Sequence, residues 1–338
     1  MTVRLGFLGA GFIARLHADL LRGSGADFEW AGVYDLDPHR SRDFAGRYGA
    51  RVMHDTEAVV ESCDAVFICT WTSEHLRQVE AAAERSKAVF CEKPLAVDLA
   101  GAQQMAGIVL EAGVTNQVGL VLRSVPAVRA FRRMISDPRN GRVMNIVFRD
   151  DQYIPIQGMY QSTWRSEVDK AGAGTLMEHS IHDLDLIEWL VGPVSTVSAH
   201  SAEFHGISGI EDSVSVLLRF ESGGNGSLAS VWHDILARPS VRRIEVFCER
   251  AHLVLEGEWF GPLRWTRDDD EGVIEGEEIV RFLREHGEEP ELAEASFLRA
   301  VDEGRPAEPD FSVALRAHRL VDAVYRSAAR AAAPQAVE

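Results

Sequence analysis

The stretch Val3-Arg4-Leu5-Gly6-Phe7-Leu8-Gly9-Ala10-Gly11-Phe12-Ile13-Ala14 joins an apolar run to a helical pattern through a Gly-x-Gly-x-x-Ala turn. In such a turn Gly9 permits a tight bend, Gly11 lets backbone approach a pyrophosphate, and Ala14 lets the helix lie close on the strand. The helix N-terminus adds free N–H groups and partial positive charge. The stretch therefore predicts a dinucleotide-binding turn. A chance turn opening an α/β domain that binds no nucleotide is the alternative.

An acidic residue stands where such a fold contacts the ribose. Asp35 ends the second predicted strand, 21 positions beyond Ala14, and its carboxylate can accept hydrogen bonds from ribose hydroxyls. The same carboxylate would repel the 2′-phosphate of NADP, so the sequence favours NAD over NADP. Arg40 lies one helical turn further on and could pair with such a phosphate, with Asp35 or with Asp37.

Short β-branched runs alternate with helical patterns up to about residue 120. The predicted strands are residues 3–8, 29–34, 65–70, 88–91 and 114–118, and the predicted helices are residues 13–21, 39–48, 74–85 and 99–111. This alternation implies right-handed crossovers and a parallel sheet covered on both faces. We therefore expect an N-terminal doubly wound parallel Rossmann sheet over residues 1–122.

The pattern changes after about residue 124, where strands follow one another with short Gly-containing turns. The predicted elements are strands 143–148, 194–200, 213–220, 226–232, 243–248 and 252–256, and helices 127–135, 176–191, 292–303 and 311–329. We expect a C-terminal α/β domain over residues 123–330 with a mainly antiparallel sheet. The acidic segments 268–271 and 285–291 are predicted to be loops, and residues 331–338 a frayed tail.

Composition limits the classes of partner. The 338 residues include 35 basic and 52 acidic side chains, so the net charge is −17, and nucleic acid and anionic membranes are poor partners. We expect no signal peptide, because the first apolar run is too short, and no membrane-spanning run. The four cysteines are widely spaced, mostly in apolar runs, which predicts buried reduced thiols. We expect a cytoplasmic protein.

Several motifs in a fixed order carry a resemblance to a known family. They are the glycine turn, Thr70-Trp71-Thr72-Ser73-Glu74-His75, Glu92-Lys93-Pro94, Trp164-Arg165, and the segment from Gly172 through Glu178 and His182 to Asp185. In this order the chain resembles the glucose–fructose oxidoreductase / inositol dehydrogenase (Gfo/Idh/MocA) family over nearly its whole length. The resemblance implies a Rossmann domain and then a substrate domain whose large open sheet commonly forms the oligomer interface. A homodimer or homotetramer is therefore expected.

Lys93 is the first catalytic candidate. It follows a predicted parallel strand at its carboxyl end, where doubly wound folds bind ligands. The chain has three lysines against 32 arginines, which hints that a guanidinium would not serve at this position. An ammonium is a compact charge whose pKa can shift on desolvation, whereas arginine stays charged. A surface lysine in a turn is the alternative.

Glu178 and His182 are the other catalytic candidates. At a spacing of four residues they share one face of the predicted helix, where a carboxylate can orient an imidazole that takes a proton. By resemblance His182 is the catalytic histidine, and Glu178 stands where the family often has Asp. Glu178 could bind substrate or hold His182. Two alternatives remain: Glu178, His179, His182 and Asp185 could ligate a metal, although we expect no metal, or they could be polar surface residues. Asp183 and Asp185 are assigned to structure.

The resemblance also implies residues that line the cofactor. They are Gly9, Ala10, Gly11, Phe12, Ile13, Asp35, Arg40, Thr70, Trp71, His75, Glu92, Lys93, Gly119, Trp164 and Arg165. Trp71 replaces a smaller residue, so its contact can differ from the family's. His75 matches a family histidine near the nicotinamide, and a packed histidine that stabilises the loop is as good an interpretation. Tyr153, Tyr160 and His233 are candidate specificity residues.

The resemblance implies an NAD(P)-dependent dehydrogenase that reversibly oxidises a secondary alcohol of a small polyhydroxylated sugar, cyclitol or amino sugar to a ketone. The acidic balance and Glu178 would suit a cationic substrate such as an aminocyclitol or an aminoglycoside. Two other hypotheses are an NAD-dependent glycosidase that uses transient oxidation and elimination, and a non-catalytic dinucleotide-sensing regulator. The intact Lys93, Glu178 and His182 argue against the regulator.

Overall fold

Six short strands form a parallel sheet in the first of two compact units. The computed structural model describes residues 2–257 and 260–338. The strands are β1 (Val3–Leu8), β2 (Phe28–Tyr34), β3 (Arg51–Val52), β4 (Ala65–Ile68), β5 (Ala88–Cys91) and β6 (Asn116–Val118). Their order is β3-β2-β1-β4-β5-β6, so the strand order reverses between β1 and β4. The carboxyl ends of strands at such a switch point form the ligand crevice of doubly wound folds.

Eleven α-helices lie in the described residues. They are α1 (Phe12–Gly23), α2 (Pro38–Tyr48), α3 (Thr56–Ser62), α4 (His75–Ala83), α5 (Leu99–Ala112), α6 (Pro126–Ile135), α7 (Val168–Ala171), α8 (Ile181–Val191), α9 (Glu277–Glu285), α10 (Ala293–Glu303) and α11 (Phe311–Ala328). In the first unit, two separate apolar clusters pack against the parallel sheet. The predicted doubly wound architecture is confirmed.

A nine-stranded sheet forms the second unit. Its strands are β7 (Val143–Tyr153), β8 (Val194–Ala202), β9 (Ser213–Phe220), β10 (Asn225–His233), β11 (Val241–Cys248), β12 (His252–Gly257), β13 (Leu263–Thr266), β14 (Glu271–Ile274) and β15 (Gln335–Ala336). The order is β14-β13-β12-β11-β7-β10-β9-β8-β15, and among these described strands only β7 and β10 pair in parallel. The sheet is therefore mainly antiparallel, as predicted, and one large apolar cluster packs in this unit.

The structure divides the chain differently from the predicted ranges in two internal segments and in the tail. Residues 291–316 belong to the first unit, together with residues 1–121 and 169–172. The cause is apolar packing, because Phe297 on α10 stacks edge-on against Phe67 and Phe90 of the parallel sheet. The tail predicted to fray instead forms β15, which pairs with β8 and so covers an otherwise open strand edge.

All four cysteines are buried free thiols, as predicted. Within residues 2–257 and 260–338, no helix has both the length and the apolar character needed to cross a bilayer.

Candidate active site

The glycine turn has the geometry that a dinucleotide requires. Gly9 has a φ of +86°, and a Cβ there would lie 2.6 Å from the carbonyl oxygen of Cys69, so only glycine fits. Gly11 is the N-cap of α1, and a Cβ there would meet nothing within 4 Å. Among the described residues no side chain caps α1 and no acid lies in its first turn. The first N–H groups of α1 can therefore receive a pyrophosphate.

Two backbone hydrogen bonds fix the side chain of Asp35 beside this turn. Its Oδ2 accepts the Ala10 N–H at 2.8 Å, and its Oδ1 accepts the Asp37 N–H at 2.8 Å. Each carboxylate oxygen has a second lone pair with which it can accept a hydrogen bond from a ribose hydroxyl. Arg40 Nε lies 3.7 Å from Asp37 Oδ2 in an exposed pair, which is one of the three partners considered for it.

The loop after β4 is fixed by side-chain contacts within the first unit. Thr70 donates its hydroxyl to Gln78 Oε1 at 2.7 Å, and the ammonium of Lys170 lies 4.2 Å from the ring centroid of Trp71. His75 is buried, and its Nδ1 lies 3.0 Å from the carbonyl oxygen of Pro94. Burial lowers the pKa of His75, which favours a neutral ring that donates to this carbonyl. These contacts favour the packing interpretation of His75, and its contact with a nicotinamide stays a prediction.

Glu92 and Lys93 follow β5 directly. Glu92 is buried, its Oε1 lies 2.7 Å from His17 Nε2, and its Oε2 accepts the backbone N–H of Lys93 at 3.3 Å. A Cβ at Gly119 would collide with the Glu92 carboxylate, so glycine is needed there. The Glu92 carboxylate thus holds the backbone of Lys93, and its predicted contact with the cofactor stays a prediction.

The predicted continuous helix over residues 176–191 is interrupted. A π-helical turn spans Leu176–Ser180, and α8 follows from Ile181. Glu178 lies in the π turn and His182 in the first turn of α8, both buried. Single π turns inside helices occur frequently at functional sites. We call residues 174–185, which include the predicted catalytic residues Glu178 and His182, the catalytic segment.

Glu211 holds the N-terminus of the catalytic segment. Its carboxylate accepts the N–H of Gly174 at 2.8 Å, the N–H of Leu176 at 2.9 Å and the hydroxyl of Tyr325 at 3.0 Å. Burial raises the pKa of Glu211, while the two backbone N–H groups favour its charged form. Sequence reasoning missed this residue because its partners lie 35 and 37 positions away. The only local signal is an acidic pair, Glu211-Asp212, just before a strand.

We expect Gly174→Ala to destabilise the protein, because a Cβ there would overlap the backbone carbonyl oxygen of Glu211. Overpacking of this kind costs about 1–3 kcal/mol or more. Gly107→Ala is the matched control: Gly107 lies inside α5, and a Cβ there would meet nothing within 4 Å. Alanine at this control position should stabilise by about 0.5–1 kcal/mol. Denaturant unfolding measures both, and equal stability of the two variants would contradict the close packing.

Trp164, Arg165 and Glu178 form a chain of contacts in the second unit. Arg165 Nε donates to Glu178 Oε2 at 3.0 Å, and the Arg165 guanidinium lies 4.3 Å from the ring centroid of Trp164. The Glu178 side chain is fully buried at this ion pair. One arginine therefore connects a predicted cofactor-lining residue to a predicted catalytic carboxylate.

The other polar residues of the catalytic segment have partners of their own. Asp185 accepts two hydrogen bonds from Arg123, at 2.8 and 2.5 Å, and Asp183 accepts one from Arg242 at 3.2 Å. His179 Nε2 lies 2.8 Å from Asp150 Oδ2. Burial, and then Asp150, raise the pKa of Asp183 to about 7. These contacts fit the structural role predicted for Asp183 and Asp185.

Two of the four residues in the metal alternative already have a charged partner. Glu178 and Asp185 each form an ion pair with an arginine. Within residues 2–257 and 260–338, no three His, Cys, Asp or Glu side chains are grouped to hold a metal ion.

A pocket of about 530 Å³ opens in the second unit at the end of β10. His233 lines it, together with Phe204, Asp212 and Trp232. The rings of Tyr153 and Tyr160 pack against each other, with centroids 5.6 Å apart. The structure thus places His233 at a pocket, while Tyr153 and Tyr160 do not line it.

The predicted site residues fall into two groups. The glycine turn, Asp35, Arg40, the 70–75 loop, Glu92, Lys93 and Gly119 belong to the first unit, and Trp164, Arg165, Glu178 and His182 belong to the second. The contacts above connect Asp35 to the glycine turn, Glu92 to Lys93, and Arg165 to Trp164 and Glu178. A contact between Glu178 and His182 stays a prediction. The approach of Lys93 to His182 stays a prediction.

Comparison with known proteins agrees with this organisation. A model of an oxidoreductase family with an NAD-binding Rossmann fold (GFO_IDH_MocA) matches residues 3–120, and the GFO/IDH/MocA C-terminal domain model matches residues 128–254. Inositol 2-dehydrogenase from Rhizobium meliloti (strain 1021) is 30% identical over 97% of this chain and 98% of that relative. 1,5-Anhydro-D-fructose reductase from Ensifer adhaerens is 32% identical over 65% of this chain and 66% of that relative.

A solved structure shows the same fold. The WlbA dehydrogenase from Bordetella pertussis, in complex with NADH and UDP-GlcNAcA, aligns with a TM-score of 0.86 at 22% identity, covering 100% of this chain and 98% of that one. The two family models span most of the chain, in the order in which the structure places a dinucleotide-binding unit and a mixed-sheet unit. The chain therefore belongs to the GFO/IDH/MocA family of oxidoreductases.

Proposed function

We propose that the protein is a dehydrogenase that reversibly oxidises a secondary alcohol of a sugar, cyclitol or amino sugar to a ketone, with NAD as the hydride acceptor. The observation that carries the proposal is the glycine cradle at α1, with Lys93 intact at the carboxyl end of β5 in the same unit. Catalytic groups of doubly wound folds lie at this edge of the sheet.

The dinucleotide supplies the hydride acceptor when bound. The chain's own residues handle the proton and the charge. His182 removes the hydroxyl proton as general base. Lys93 donates a hydrogen bond to the same oxygen and stabilises the negative charge that develops on it. Glu178, held by Arg165, keeps its carboxylate fixed in the catalytic segment that carries His182.

The proposed substrate class rests on the relatives. The matched relatives include an inositol 2-dehydrogenase and a UDP-N-acetylglucosamine 3-dehydrogenase, whose names describe oxidation of a ring hydroxyl.

The test is absorbance at 340 nm with NAD and a panel of myo-inositol, D-glucose, D-glucosamine and an aminocyclitol. We expect net NADH formation with at least one of them. A glycosidase would release product from an aryl glycoside without accumulating NADH, and a regulator would bind NADH without turnover. The same assay with NADP tests the role assigned to Asp35, and a higher kcat/KM with NADP would contradict it.

A further inference from the structure

A buried histidine joins three distant segments of the first unit. His17 on α1 is 1% exposed and lies between two carboxylates. Its Nε2 is 2.7 Å from Glu92 Oε1, and its Nδ1 is 2.6 Å from Glu294 Oε1. Glu92 follows β5 and Glu294 lies on α10, and both are buried as well. Sequence reasoning missed this contact, since 277 positions separate His17 from Glu294.

The contact favours a charged ring. An ionised carboxylate only accepts hydrogen bonds, so both ring nitrogens must carry a proton to donate to Glu92 and Glu294. Burial alone would lower the pKa of His17, but the hydrogen bonds to Glu294 and Glu92 outweigh burial and raise the pKa to about 9. His17 is therefore an imidazolium at neutral pH.

Few other titratable groups face this cluster. Cys69 on β4 and Cys91 on β5 lie near Glu92, and burial raises the pKa of both thiols, so they are neutral. Lys93 also acts on Glu92 through its charge, whereas His75 on α4 lies near Glu92 with its pKa lowered by burial. His17 is thus the cation that directly bonds both buried carboxylates.

The position of the cluster connects it to both parts of the dinucleotide site. Helix α1, which carries His17, begins at Gly11 of the glycine turn. Glu92, which His17 holds, also accepts the backbone N–H of Lys93. One imidazolium therefore fixes the helix behind the glycine turn to the chain segment that carries Lys93.

We propose that His17, held by Glu294, is a positioning residue of the hydride-transfer site. It fixes Glu92, and through Glu92 the backbone of Lys93, relative to the glycine turn. This inference rests on the proposed function. It assigns a role in the reaction to a helix of the C-terminal part of the chain, because α10 supplies Glu294.

The test uses Glu294→Gln, which keeps shape and an acceptor but removes the charge that favours the imidazolium. The pKa of His17 should fall, so His17 loses its proton at lower pH than in the wild type. We expect the kcat of the variant relative to wild type to drop by at least about fivefold between pH 6.5 and pH 8.5, since one pKa unit is a tenfold change in proton affinity. His17→Gln should lower kcat at both pH values and abolish this pH dependence.

Val109→Ala is the control for stability. Val109 is buried on α5 in the other apolar cluster of this unit, so its truncation destabilises without touching His17. It should leave the kcat ratio independent of pH, at temperatures where every variant is folded. A pH-independent ratio for Glu294→Gln, or an equal loss of kcat in Val109→Ala, would overturn the proposal.

NADH binding without substrate separates the two claims. If no alcohol is oxidised, the proposed function fails. The dissociation constant for NADH can still be measured, and it reports whether α1 and the glycine turn are correctly placed. Glu294→Gln should then weaken NADH binding more at pH 8.5 than at pH 6.5, and Val109→Ala should not. An unchanged NADH affinity would overturn the positioning role even in an inactive protein.

Discussion

Replacement of Lys93 by alanine is expected to lower kcat/KM by roughly 10²–10⁴-fold, the usual range for removing an acid–base group or an oxyanion donor. The reason is the position of the residue: it follows β5 at the carboxyl edge of the sheet, with its backbone held by Glu92. Steady-state kinetics with NAD and the best alcohol of the panel measure the loss. NADH affinity should change little by comparison, because the proposed role is on the reacting oxygen.

Two variants sharpen this test. Lys87→Ala removes a lysine at the other end of the same strand, just before Ala88, and should leave kcat/KM within about twofold, as expected for a substitution away from the site. Lys93→Arg keeps the charge but replaces a compact ammonium with a larger, permanently charged fork, and should be nearly as inactive as Lys93→Ala. Full activity of Lys93→Arg would refute the inference that a guanidinium cannot serve at position 93.

Elements with a strong local pattern were predictable from the sequence. Strand β9 (Ser213–Phe220) was placed to the residue, because buried and exposed positions alternate strictly along it and an acidic pair and a glycine turn bound it. Strand β5 was placed equally well, since its four residues are all buried and apolar. Helix α9 and strand β3 were missed. Helix α9 buries only Ile279 and Leu283, and β3 is two exposed residues that pair with β2.

Site residues were predictable where one motif supplies them and not where distant segments meet. The glycine turn and Asp35 belong to one βαβ unit, so spacing alone indicates their roles. His17 and Glu211 act through partners that lie dozens to hundreds of positions away, and local spacing carries no signal for such pairs. The π turn at Glu178 also begins at a contact with a distant residue, since Glu211 accepts the N–H of Leu176.

His182→Ala is expected to lower kcat by at least about 10²-fold, because the general base for the hydroxyl proton is lost. Added imidazole should restore part of the activity, since the buried position of His182 leaves a cavity when the ring is removed. His200→Ala removes an exposed histidine of β8 and should be as active as wild type. Imidazole rescue separates a missing base from a misfolded catalytic segment, in which added base would have no effect.

The double variant Lys93→Ala/His182→Ala tests whether the two residues act on one oxygen. Residues that act as a unit show strongly non-additive effects. Once one of them is lost, the other no longer contributes fully to transition-state stabilisation. The double variant should therefore be no more than about tenfold slower than the slower single variant, although two independent losses of 10²-fold or more would multiply. Additive losses would mean that the ammonium of Lys93 and the imidazole of His182 contribute independently, which would contradict their proposed joint action on one oxygen.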